Sequence, residues 1–211
     1  MLNLLWNLVG DDSANEAKAL AGMLKEVPEL PDWSGAVQPL LDRLRHYNGV
    51  KRSLDCRVLS GMPFNALALS HKTIVIAESL VDFCRGQTHQ MAFVIAHELS
   101  HLHRGHAREQ SRATAMAGML TFNPLLAMGV KALLGRVCSR ENEFEADRDA
   151  TTFCHRAGYS VQAGADFLER LRSGELPSGV IQQLMSTHPP LAERLEEIRG
   201  TANRLRTNAT E

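Results

Sequence analysis

The stretch His97-Glu98-Leu99-Ser100-His101 constrains the fold more than any other feature of this chain. Two histidines four residues apart share a face only on an α-helix, where their imidazole nitrogens come close enough to hold one ion. Glu98, one residue after the first histidine, is rotated by about 100°. It is badly placed as a ligand but well placed to take a proton from a water that the ion polarises. The motif sits in the apolar run Met91-Ala92-Phe93-Val94-Ile95-Ala96, which predicts a buried helix over residues 88–108 starting at Thr88. Such a helix holds its histidines rigidly, and burying them with a carboxylate and no partner would be costly. The five-residue pattern arises by chance in roughly one chain of this composition in forty, so it needs a third ligand as support.

A catalytic zinc site takes three protein ligands and leaves one position open. A helical extension with glycine at 104 and histidine at 107 is excluded, because the chain has Arg104 and Ala107. The better candidate lies in Ser139-Arg140-Glu141-Asn142-Glu143-Phe144-Glu145-Ala146-Asp147. Glu143 and Asp147 are one helical turn apart, so both face the same way. Glu143 can complete a two-histidine, one-glutamate set, and Asp147 can accept the free N–H of a ligating histidine and fix its tautomer.

Composition places these residues in a folded protein. The chain has 211 residues, 44% hydrophobic and 22% charged, with a formal net charge of -1. That balance supports one packed domain and, with no polybasic cluster, argues against nucleic acid as a partner. Cys56, Cys84, Cys138 and Cys154 form no Cys-x-x-Cys pair and read as buried thiols. We expect an N-terminal helix over 13–26, a proline-containing linker from Pro28 to Trp33, and a helix over 35–47. Three short strands follow at 54–60, 66–69 and 73–76. The rest reads as helical, with long helices at 88–108, 138–157, 160–172 and 190–205. Residues 1–34 are expected to form a helix and linker, 35–205 the main domain and 206–211 a tail. Residues 113–130 hold no charged side chain. They read as a helical hairpin packed on the protein or touching a membrane surface, with peripheral contact extending over 113–134, and a true membrane span is the alternative. The N-terminal stretch lacks a basic region ahead of its apolar residues, so the expected location is cytoplasmic or membrane-associated, or periplasmic where a signal has been removed.

Taken together, the two motifs resemble the gluzincin zinc peptidases that include the HtpX heat-shock proteases, the CAAX prenyl proteases, and the BepA-like and Oma-like enzymes. Glu143-Phe144-Glu145-Ala146-Asp147 is similar to their Glu-x-x-x-Asp segment, which implies that Glu143, not Glu141 or Glu145, is the third ligand. Asn65-Ala66-Leu67-Ala68-Leu69 is similar to the family's edge segment, which implies that Asn65, Ala66, Leu67 and Ala68 contact an extended substrate. Thr187-His188-Pro189-Pro190-Leu191-Ala192-Glu193-Arg194 is similar to a family His-Pro…Arg motif. By that resemblance His188 faces the metal, where it either steadies an oxyanion or takes the fourth position and silences the site. Arg194 either holds a substrate carbonyl or makes a salt bridge. His103 and His106 lie off the metal-facing stripe. The likeness covers about residues 35–200, without the multiple membrane spans or helical repeats of some members.

The resemblance implies an α+β zincin-like fold: a small antiparallel or mixed sheet, an active-site helix and a mainly helical C-terminal half. It implies one Zn2+ per chain and a metalloendopeptidase acting on extended or misfolded polypeptides, with Glu98 as general base. The alternative from another class is a zinc-bearing binding or chaperone module whose peptidase site is latent.

Overall fold

The computed structural model describes residues 28–62, 64–69, 72–105, 124–181 and 191–208, with the backbone alone at 69 and 124–139. The expected N-terminal helix, the stretch 113–123, His106, His188 and the Pro189-Pro190 pair lie outside them.

Helix α1 spans Pro31–Tyr47. It begins four residues before the expected start because Pro31 stands in the first turn, where its missing N–H costs nothing and its fixed φ suits the helix. Pro28 to Leu30, expected as linker, instead lies along the sheet. Glu29 bridges Leu59, the Leu30 N–H donates to Val58 O at 2.9 Å, and the Ser60 N–H donates to Pro28 O at 2.9 Å.

The sheet is mixed. Strands β1 (Asp55–Leu59), β2 (Ala66–Leu69) and β3 (Thr73–Ala77) lie in the order β1-β3-β2. β3 pairs parallel with β1, Cys56 opposite Ile74, and antiparallel with β2, Ala66 opposite Ile76. Every residue of β3 is buried, as its continuous apolar run requires of a central strand. Among the described residues no strand pairs with the outer side of β2.

Short helix α2 (Glu78–Phe83) leads into α3 (Thr88–Arg104), the motif helix. α3 is buried on most of its circumference and packs through Ile95 and Leu99 into the core formed by Leu41, Leu44, Ile74 and Ile76. It stops at Arg104 rather than 108 because Gly105 adopts φ 76°, a left-handed cap that only glycine takes without strain.

Helix α4 runs from Pro124 to Arg156, starting well before the expected residue 138. Pro124 suits a helix start, and the following Leu, Ala and Met residues are strong helix formers that carry the chain through Gly129 and Gly135. Its C-terminal half buries Ala146, Ala150 and Cys154, with Ala157 just beyond, all fully inaccessible. These small side chains at helical spacing let α4 approach α3 closely. Helix α5 (Ala163–Arg172) starts after a turn in which Ser160 O accepts the Ala163 N–H, and α6 (Leu191–Asn208) closes the domain. No described helix is long and apolar enough to cross a membrane. Cys56, Cys84 and Cys154 are buried free thiols, and burial pushes each up to about 12, well above the range of a reactive thiolate.

Candidate active site

α3 brings His97 and His101 onto the side that faces α4, and the alanine stripe of α4 carries Glu143 and Asp147 up to them. His97 Nε2 lies 3.1 Å from His101 Nε2 and 3.2 Å from Glu143 Oε2, and His101 Nε2 lies 3.2 Å from Glu143 Oε1. Two donors each about 2.0–2.1 Å from a tetrahedral zinc stand roughly 3.3–3.4 Å apart. The three groups therefore form a triangle of the size that one face of such a site requires, and they are a candidate metal-holding group among the described residues.

The surroundings set the tautomer. His97 Nδ1 lies 3.0 Å from Asp147 Oδ1, so its N–H points at the carboxylate and the Nε2 lone pair points into the triangle. Asp147 is completely buried and is gripped from its far side by Arg194, whose Nε donates to Oδ2 at 2.7 Å and Nη2 to Oδ1 at 2.8 Å. A planar fork matched to a carboxylate is the strongest ion-pair geometry a side chain offers. Arg194 Nη1 also stands 3.3 Å from Glu143 Oε2. The guanidinium thus ties Asp147 and Glu143 together. It reaches that position because Arg194 shares the buried stripe of α6 with Leu191, Leu195 and Ile198.

Charge makes the same demand as geometry. Burial works to raise the Asp147 carboxyl, but the Arg194 charge and its hydrogen bonds hold it below the ordinary value. Burial works to lower His97, yet the Glu143 charge and the bonds to Asp147 and Glu143 push it up to about 10. Buried Glu98, Glu143 and Asp147 face a single buried guanidinium, Arg194. Once His97 gives up its extra proton to act as a ligand, these three negative charges against Arg194 leave two uncompensated among the described residues, the charge a divalent cation neutralises. The donor set, its spacing and its charge all fit zinc.

Glu98 projects from a different side of α3 into a small cavity, open at its mouth, that also touches Asn65, Ala66, Phe93, His97, Phe167 and Arg194. Its carboxylate takes no hydrogen bond from any described residue. Asn65 and Ala66 place the start of β2 at the rim. Asn65 O accepts the Ala77 N–H at 2.9 Å, so its polar backbone faces β3. The alternation of a strand then turns the backbone groups of Ala66 and Ala68 outward. Asn65 Oδ1 accepts the Ala66 N–H at 3.0 Å.

The profile of peptidase family M48 matches residues 37–202. The chain belongs to peptidase family M48. Among its relatives, the beta-barrel assembly-enhancing protease of Escherichia coli (strain K12) is 29% identical over 180 residues, covering 76% of this chain and 37% of that protein. The protein of the same name in Yersinia pestis is 25% identical over 184 residues, covering 77% of this chain and 37% of that protein. Metalloprotease YcaL of E. coli (strain K12) is 28% identical over 149 residues, covering 64% and 57%. The chain thus spans little more than a third of the length of the assembly-enhancing proteases. The M48 match takes in both motifs and the β2 segment.

Two groups around the M48 site escape a reading of motifs. Asp149 accepts the Ser100 hydroxyl at 2.8 Å and Arg104 Nε at 2.6 Å, locking the end of α3 to α4 beside the histidines. Ser100 is fully buried, so removing its acceptor strands a hydroxyl. Arg104 is more than a third exposed and adds less. Asp149→Ala is expected to lower stability by about 1–2 kcal/mol, read from the urea midpoint at unchanged slope. The second group is the apolar wall of the cavity, from Phe93, Phe167, Leu168 and Leu171. Its sequence signal is only the ordinary periodicity of core helices.

Proposed function

We propose that the chain is a zinc-dependent endopeptidase that hydrolyses extended or misfolded polypeptides. The observation that carries the reading is the donor triangle of His97, His101 and Glu143, backed by Asp147 and Arg194, with Glu98, which takes no hydrogen bond from a described residue, beside it in an open cavity. Those three residues would hold the ion, and a bound zinc ion supplies Lewis acidity toward a carbonyl oxygen and an attacking water.

The remaining work falls to side chains of the chain. Asp147 keeps the Nδ1 proton on His97, so that the opposite nitrogen stays a donor. Arg194, held in its fork, is a positioning residue: it neutralises Asp147 and restrains Glu143. Glu98 takes a proton from the water that attacks the scissile carbonyl. The same carboxylic acid then returns the proton to the departing amine nitrogen. β2 offers the outward backbone of Ala66 and Ala68 to a substrate strand. Recognition through strand addition reads main chain more than side chain, which suits polypeptides that have lost their fold.

Chelation tests the reading. A zinc chelator is expected to stop cleavage of an unfolded casein, and stoichiometric zinc is expected to restore it. Cleavage that persists through exhaustive chelation overturns the proposal.

A further inference from the structure

The cavity beside Glu98 has one wall whose position depends on a glycine. Phe93 and Val94 lie one helical turn before His97 and Glu98, on the same faces of α3. Phe167, Leu168 and Leu171 of α5 stand opposite, and Leu80 of α2 completes the lining. Apart from the site residues and Asn65 at the rim, everything that lines it is aliphatic or aromatic. α5 is anchored rather than loose: Arg170 Nη1 donates to Gln90 Oε1 at 2.7 Å and Nη2 to Phe83 O at 3.0 Å, and its guanidinium lies 4.1 Å from the Phe83 ring centre. Phe167 packs edge-on against Phe83 with ring centres 5.9 Å apart.

Gly164 lies against the Phe93 ring. A Cβ at residue 164 would stand 2.6 Å from Phe93 Cζ and 2.7 Å from Cδ2, far inside contact distance. Phe93 is almost wholly buried, so the ring could yield only toward open space, and the open space is the cavity.

We propose that this cavity takes an aliphatic side chain of the substrate residue next to the scissile bond, and that Gly164, by seating Phe93, sets its depth. The inference rests on the peptidase reading and extends it to substrate selection. The cavity shares its lining with Glu98 and His97 and with the start of strand β2, whose outer side pairs with no strand among the described residues. A polypeptide lying along Ala66 and Ala68 toward Glu98 therefore passes its mouth. The apolar walls offer nothing to a charged side chain, which would lose its hydration there. Discrimination by an apolar pocket grows with each methylene it accommodates.

Cut sites in unfolded casein, mapped by mass spectrometry, give the first readout. The wild type is expected to show Leu, Ile or Met enriched at least fivefold at one residue flanking the cut. Gly164→Ala is expected to lose that enrichment in favour of Ala, Ser and Val. Phe93→Leu added to Gly164→Ala removes the overlapping ring atoms and is expected to restore the preference for Leu. No enrichment at either flanking residue overturns the proposal, as does a Gly164→Ala protein that cuts the same sites uniformly more slowly. Should Gly164→Ala lack a cooperative melting transition, Phe93→Leu alone decides. A widened pocket is expected to admit Phe and Trp, and an unchanged cut-site pattern contradicts it.

Binding to the full chain carrying Glu98→Gln separates the two readings. A labelled peptide with Leu at the flanking position, identified from the mapped cuts, is expected to bind at least tenfold more tightly than its Ala counterpart. Gly164→Ala is expected to reduce that ratio below threefold. If Glu98→Gln still cleaves, the peptidase reading fails. If it is inert but binds the Leu and Ala peptides equally, the pocket assignment alone fails.

Discussion

Replacing Glu98 by Gln is expected to lower cleavage of unfolded polypeptide by about 10²–10⁴-fold, the range that a positioned general base contributes. Zinc content should not change. Glu98 stands about 100° around the helix from His97 and is not part of the donor triangle. Nor should the fold suffer, because Gln has the same shape and the Glu98 carboxylate takes no hydrogen bond from a described residue. Removing one of the site's excess negative charges should leave the metal-free melting temperature equal or higher. Initial-rate assays, metal analysis and calorimetry on the same preparation check all three. A variant that keeps its zinc and still cleaves would remove Glu98 from the chemistry.

The second large effect is structural. Asp147→Ala strips Arg194 of both fork hydrogen bonds, at 2.7 and 2.8 Å, and leaves a buried guanidinium whose remaining close contacts among the described residues are Glu143 at 3.3 Å and the His97 ring at 3.5 Å. Breaking a buried pair by removing one partner costs about 3–5 kcal/mol. Asp147 is fully buried and Arg194 nearly so, so little solvent screening reduces that figure. The same substitution removes the acceptor of His97 Nδ1–H, which frees the ring to turn and change tautomer. Zinc affinity is expected to fall about 10–100-fold, the usual effect of losing such a partner. Asp147→Asn keeps the shape and one acceptor oxygen and should fall between wild type and Ala in both measurements. Urea unfolding of the metal-free protein isolates the stability effect, and competition with a zinc indicator isolates the affinity. Equal stability of Asp147→Ala and wild type would show that the fork is not what holds α6 to α4.

How much of this was legible without coordinates follows from the range over which each signal acts. Helical periodicity is local, so the four-residue spacings of His97 with His101 and of Glu143 with Asp147 already placed each pair on one face. That the pairs meet was implied by family resemblance. Its physical signal is the alternation of Ala146, Ala150, Cys154 and Ala157, which marks a close helix contact but does not name the partner helix. The three strands were readable from β-branched alternation, whereas the parallel pairing of β1 with β3 depends on contacts far apart in sequence. Helix ends were the weakest part. Pro31 and Pro124 start helices that polarity alone placed later, and Gly105 ends one earlier. Arg194 shows the limit most clearly. Its position among Leu191, Leu195 and Ile198 marks it as buried, but only the fold reveals that Asp147 receives both ends of its fork. The cavity wall was illegible for a related reason: Phe93, Phe167 and Leu171 carry the same pattern as residues that merely fill a core.

The central claim is that His97, His101 and Glu143 hold a zinc ion. The zinc-to-protein ratio, measured after zinc loading and gel filtration, tests it most directly when wild type and Glu143→Ala are compared side by side. The account predicts about one zinc per chain in the wild type and close to none in the variant. A wild type that emerges without zinc, or a Glu143→Ala protein that retains it in full, would contradict it.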